Sequence, residues 1–165
     1  MLDNNEEMFP IVDEEGNITG AATRKECHSG SKLLHPVVHL HVFNSKGELY
    51  LQKRPAWKDI QPGKWDTSVG GHVDLGESIE IALKREAREE LGITDFTAKL
   101  LTHYVFESDR EKELVFSHRT TYDGEILPSE ELDGGQFWSL TEIKNNLGKG
   151  IFTPNFESEF LRLKF

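Results

Sequence analysis

Apolar positions recur with period two along some stretches of the chain and with a helical period along others. Phe9 to Val12 and Ile18 to Ala22 are short apolar runs flanking Asp13-Glu14-Glu15-Gly16-Asn17, a pattern that predicts a β-hairpin. About the first ten residues are expected to be loosely ordered. From His35 to Phe43, Val38, Leu40 and Val42 fall on one strand face, and Val37, His39, His41 and Phe43 on the other. A turn at Asn44-Ser45-Lys46-Gly47 leads to a second strand, Glu48 to Lys53. Pro55 to Lys64 reads as irregular, punctuated by Pro62-Gly63. Ser68 to Val73 holds Gly70-Gly71, where backbone can pass close to another group.

Ser78 to Leu91 is the strongest helix. Ser78 suits the N-cap, Glu80 the first turn, and Leu83, Ala87 and Leu91 form an apolar stripe that Gly92 terminates. Phe96 to Phe106 and Glu113 to Tyr122 read as strands, and Phe137-Trp138 closes another. Thr141 to Leu147 predicts a short helix. Thr153-Pro154 opens a last one, with Phe156, Phe160, Leu161 and Leu163 as its apolar positions. The sum is a layered α+β or α/β domain with about three helices.

Length and charge narrow the chemistry. A chain of 165 residues is the size of one domain. Its 29 acidic residues against 19 basic ones give a net charge of −10, which argues against a nucleic acid polymer as partner. An anionic substrate would need a divalent cation to neutralise it. Cys27 is the sole cysteine, so no intrachain disulfide forms; it is expected to be a buried apolar group. The acidic start lacks a basic, then apolar leader, and no run reaches the roughly 18 apolar residues of a membrane span. The expectation is a cytoplasmic protein without membrane attachment.

Glu86, Glu89 and Glu90 fall within one helical turn and cover an arc of about 100°. Such a cluster repels itself when empty and suits a hard cation, Mg²⁺ or Mn²⁺. Glutamate pairs on helices are ordinarily solvated, but here they belong to a longer pattern. Gly71 is followed after five residues by Glu77, and after seven more by Arg85-Glu86-Ala87-Arg88-Glu89-Glu90-Leu91-Gly92-Ile93. This resembles the signature of the Nudix hydrolases at every fixed position. The resemblance implies an α/β fold, the Nudix α/β/α sandwich with a mixed sheet. It spans residues 35–165, with 1–34 as an N-terminal extension whose β-hairpin packs on that domain. It also implies that Glu86, Glu89 and Glu90 hold metal with the Gly71 carbonyl, and that Glu77, Arg85 and Gly92 are structural. Pro62-Gly63-Lys64-Trp65 fits the segment that often precedes the signature.

A second resemblance, to the isopentenyl diphosphate isomerases of the same fold, covers a longer stretch. His28, His35 and His72 match that branch's metal histidines in spacing, which implies a second metal site. Glu111 and Glu113 match its Glu-x-Glu ligands, Arg54 and Lys58 its diphosphate-binding positions, and Trp138 a late aromatic. Two departures favour hydrolysis. The isomerase's catalytic cysteine is Gly70 here, and a basic residue on its helix is Glu86 here. Trp57 and Trp65 are expected in the core or pocket wall, able to stack on a nucleobase. His39, His41, His103 and His118 read as surface or satisfied core residues.

The general base can come from Glu107, Glu111 or Glu113, and the isomerase match favours the last two. With Glu86 and Glu89 they are the catalytic candidates. The expected activity is metal-dependent hydrolysis of a small-molecule diphosphate by water attack on phosphorus. The alternatives are isopentenyl diphosphate isomerisation and a non-catalytic nucleotide sensor.

Overall fold

The computed structural model describes residues 5–58 and 60–165. The chain folds as two compact units, one of residues up to 39 with 70–86 and 100–118, the other of 40–69, 87–99 and 119–165. It runs β1 (Met8–Val12), β2 (Ile18–Thr23), α1 (Arg24–Cys27), β3 (Leu34–Phe43), β4 (Leu49–Lys53), β5 (Trp65–Asp66) and β6 (Val69–His72). It continues through α2 (Ile79–Leu91), β7 (Lys99–Glu107), β8 (Lys112–Thr121), β9 (Gly135–Trp138), α3 (Leu140–Asn146) and α4 (Pro154–Leu163). Seven strands join in the order β5-β4-β3-β8-β7, with β6 on β3 and β9 on β4.

In the first unit, β1 and β2 form a separate antiparallel hairpin. Its turn is tied by Asp13 Oδ1, which accepts from the backbone N–H groups of Glu15 at 3.0 Å and Asn17 at 2.9 Å. Gly16 sits there at φ +88°, where other residues are strained. The expected loose start holds poorly from Met8 onward, because Phe9 is fully buried with Ala22 and Cys27. For Met1–Asn4 that expectation lies outside the described residues. The short α1 has no counterpart among the predicted elements. Thr23 and Glu26 cap it reciprocally, so the chain is turned sharply into His28. Ser78 Oγ accepts from Ile81 N at 3.1 Å and caps the start of α2. The β7–β8 turn closes through Ser108 N–H to Glu111 O at 2.9 Å. Gly30 N–H donates to Arg110 O at 2.9 Å, and Lys32 Nζ reaches Glu107 Oε2 at 3.1 Å, so the segment before β3 grips this turn.

The second unit is organised around β4, antiparallel to β9 from Leu49↔Trp138 to Gln52↔Gly135. Phe43, Leu49, Leu51, Ile143, Phe152, Phe156 and Phe160 form its core. Burying each such side chain is worth about 1.5–3 kcal/mol. Ser139 and Glu142 make a capping box on α3, and Thr153 caps α4 ahead of Pro154. Trp138 is buried in this core as well. Two expectations change. Trp57, expected in the core or wall, is 68% exposed on the irregular loop. Leu161 of α4 is exposed, because Phe156, Glu159 and Phe160 fill its inward face. Among the described residues no helix is long and apolar enough to cross a membrane.

His41 on β3 and Glu159 on α4 are both buried, with Nε2 and Oε2 2.5 Å apart. Desolvating one partner alone is costly, so the pair ties α4 to β3. Glu159→Ala is expected to destabilise the protein by roughly 3 kcal/mol in urea denaturation. The double variant His41→Leu/Glu159→Leu should recover much of that loss.

Candidate functional site

Four candidate ligands converge in the first unit. His28 follows α1, His35 is the second residue of β3, His72 ends β6, and Glu111 lies just before β8. One ligand atom from each lies within 4.8 Å of the others. Glu111 Oε2 is 2.9 Å from His28 Nε2 and 3.8 Å from His35 Nε2. His28 Nε2 and His72 Nε2 are 3.3 Å apart. Glu113 Oε2 stands at 3.8 Å from His72 and 4.0 Å from His35. Phe9 forms the floor, its ring stacked on His72 at 4.6 Å and on His35 at 5.8 Å. No sequence signal points to this floor, since Phe9 lies in a hairpin remote from the histidines along the chain.

The electrostatics suit a ligand set of neutral imidazoles. His35 Nδ1 lies 2.9 Å from the carbonyl of Leu33 and donates to it, which leaves the Nε2 lone pair facing the cluster. That Nε2 is buried without a hydrogen-bond partner. Burial pushes the His35 imidazole below its ordinary pKa, and burial with Arg24 nearby pushes His72 well below it. Burial opposes ionisation of Glu111, yet the hydrogen bond and charge of His28 hold its carboxyl below the usual range. Burial and the Glu111 charge push Glu113 up to about 7.

The second group of candidates is built by Arg85. Its Nε and Nη2 grip Glu77 at 2.7 and 2.9 Å, Nη1 donates to Glu86 at 2.8 Å, and Nη2 donates to the His72 carbonyl at 3.0 Å. The fork matches carboxylate geometry, so the loop between β6 and α2 is pinned to the helix. Arg85 holds the Glu77 carboxyl below its ordinary range, and Glu77 in turn holds the guanidinium charged. Burial leaves Asp74, on the same loop, raised to about 6. Gly71 has no room for a side chain, because a Cβ there would overlap the Glu86 carboxyl. Glu89 is exposed and Glu90 half-buried farther along α2, one helical turn from Glu86. Gln52 on β4, which belongs to no motif in the sequence, donates from Nε2 to Glu90 Oε1 at 2.9 Å and to the Ser68 carbonyl at 3.1 Å. Gly92 ends α2 at φ +67°, its N–H donating to Arg88 O at 3.0 Å.

The remaining candidates are dispersed. Arg54 braces the irregular loop, with Nε donating to Ile60 O at 3.0 Å and Nη1 at 3.8 Å from Asp66. Lys58 Nζ lies 5.0 Å over the Trp57 ring. Trp65 is half-buried, edge-on to Trp138 at 5.3 Å. Trp138, which the isomerase resemblance offers as a substrate contact, packs its indole against Trp65 and Phe152 and is 9% exposed. Glu107 is exposed and bonded to Lys32. Cys27 is fully buried and its thiol is pushed up to about 11 by burial, as fits an inert apolar group.

The Nudix domain model matches residues 33–156. An uncharacterised Nudix hydrolase of Listeria monocytogenes is 32% identical over 158 residues, covering 91% of this chain and 90% of its own. An isopentenyl-diphosphate Δ-isomerase of Citrobacter koseri is 39% identical over 83 residues, 50% of this chain and 46% of that protein. A crystal structure from Deinococcus radiodurans superposes with a TM-score of 0.81 over 96% of this chain and 100% of its own, at 23% identity, which shows a shared fold. With its glutamate-bearing α2 and mixed sheet, the chain belongs to the Nudix hydrolase family and resembles the isomerase-like part of it.

Proposed function

We propose that the chain hydrolyses the diphosphate linkage of a small organic or nucleoside diphosphate, with a divalent cation, by attack of water on phosphorus. The observation that carries this reading is the seating of the Glu86 carboxyl against the bare backbone of Gly71, with Arg85 fixing both ends of the loop. That seat keeps a carboxylate beside a main-chain segment free of side chains, the arrangement a cation-bridged phosphate needs. Glu86, Glu89, Glu90 and the Gly71 carbonyl would hold Mg²⁺ or Mn²⁺. When bound, such an ion polarises phosphoryl oxygen and makes bound water more acidic.

The protein's own groups supply the rest. Arg85 and Glu77 orient Glu86. Gln52 orients Glu90 by a hydrogen bond to Oε1. Glu113, which is not among the four converging ligand atoms, takes the proton from the attacking water at its carboxylate. His28, His35, His72 and Glu111 would hold a second ion. The orphaned His35 Nε2 fits that role, and an imidazole-rich set suits Zn²⁺ or Mn²⁺ better than Mg²⁺. Residues 35–165 are then the catalytic domain, and the extension 1–34 contributes His28 and Phe9. A free, buried Cys27 and a net charge of −10 are in keeping with a cytoplasmic enzyme acting on small molecules. The relatives named as isomerases raise prenyl diphosphate isomerisation as the second reading. Gly70 offers no side chain to protonate an alkene.

A panel of nucleoside diphosphate conjugates and prenyl diphosphates with Mg²⁺ tests the reading. Turnover is expected on at least one, and Glu89→Gln/Glu90→Gln should lower it at least about 100-fold with unchanged thermal stability. Wild-type turnover in that variant would remove the assignment. Isopentenyl diphosphate in heavy water should gain no deuterium. Gly71→Ala is expected to displace the Glu86 carboxyl and remove most of the activity with little change in Tm, read by phosphate release and thermal melting. Zn²⁺ added to chelator-stripped protein should raise Tm with one-to-one stoichiometry. His35→Ala should abolish that shift while Glu89→Gln/Glu90→Gln retains it.

A further inference from the structure

His39 has no role in the arrangement described so far. It lies within β3, on the face that also carries His35, since side chains alternate along a strand. On β6, position 70 likewise shares a face with His72. That position has no side chain. A Cβ built on Gly70 would meet His39 Cδ2 at 3.3 Å and Nε2 at 3.7 Å. The imidazole therefore lies beside the Gly70 backbone, and a methyl group there would press it back by a few tenths of an ångström. Gly70 is exposed and His39 half-buried, whereas His35, Val37 and His41 on the same face of β3 are buried, so the strand is open only at His39. The neighbouring strand residues Val38 and Leu40 are fully buried.

Three further observations bear on what an imidazole does there. The backbone of His39 is held, its carbonyl accepting from His118 Nδ1 at 3.2 Å. Glu113 on β8 lies near enough for the His39 charge to favour its ionised form. The bare backbone of Gly70-Gly71 has the imidazole against its first residue and the Glu86 carboxyl against its second. A group that fills space alone has no need of ring nitrogens on a face shared with Glu113. An imidazole donor beside exposed glycine backbone is instead suited to phosphoryl oxygen.

We propose that His39 is a phosphate-contacting residue of the hydrolytic site, its imidazole packed beside the bare backbone of Gly70. The proposal rests on the diphosphate hydrolase reading. It couples position 70 to His39, since a side chain at 70 would press on the ring.

A double-mutant cycle on the full chain tests it, with two readouts. The first is kcat/KM on the best substrate of the panel. The second is binding of imidodiphosphate with Mg²⁺ by calorimetry, which needs no turnover. His39→Ala should lower both at least tenfold with Tm unchanged, and His39→Asn, which keeps a donor, should lie between. Gly70→Ala should give part of the loss by displacing the ring, and should add less than twofold in the His39→Ala background. Wild-type values in His39→Ala, equal loss in His39→Asn and His39→Ala, additive losses in the cycle, or a loss tracking a fall in Tm would each overturn the proposal. So would absence of imidodiphosphate binding to the wild-type protein. If no diphosphate is turned over while His39→Ala still weakens imidodiphosphate binding, the hydrolase reading fails and the phosphate contact stands.

Discussion

The site depends on one guanidinium. Arg85 engages the carboxylates of Asp74, Glu77 and Glu86 and a main-chain carbonyl at once, so the end of β6, the loop after it and α2 cannot shift independently. Its planar fork gives direction as well as charge, which a lysine ammonium would not. The Glu86 carboxyl is thereby pressed onto Gly71, and glycine is the only residue that permits the approach. Under the proposed function, a carboxylate held this way is oriented before a cation or phosphate arrives, which is the preorganisation such a site needs.

The histidine cluster shows the opposite economy. Burial disfavours the charged forms of His35 and His72, and one ring nitrogen has no protein partner. A core assembled for stability alone would fill that space with apolar side chains. The cost is offset locally by Phe9, whose ring stacks on two of the imidazoles, and by the Leu33 carbonyl, which fixes the tautomer of His35. The N-terminal hairpin thus serves as a wall of the cluster. Under the proposed function, the two groups of ligands divide the work between a hard, carboxylate-held cation and an imidazole-held one.

Much of the fold is legible in the sequence because its elements carry local instructions. The Ser78 cap, the Leu83, Ala87 and Leu91 stripe, and Gly92 delimit α2 without reference to the rest of the chain. Thr153-Pro154 does the same for α4. The short α1 is not legible in this way because four residues hold no periodicity, although Thr23 and Glu26 carry its capping box. Trp57 departs from its expected environment for a related reason. Aromatic character does not say which tryptophan meets the core, and it is Trp138 that the antiparallel pairing of β4 with β9 buries.

The spacing of Gly71, Glu77, Arg85, Glu86, Glu89 and Glu90 determined by itself the chemistry to look for, because one helix and its preceding loop carry all of it. Side-chain direction on a helix follows from residue number alone. Tertiary structure decided everything that needed two distant segments. It brought His28, His35, His72 and Glu111 within ligand distance, laid Phe9 beneath them, set Gln52 on Glu90 and placed His39 beside Gly70. No local pattern encodes those meetings, since each depends on which strands pair and in what register.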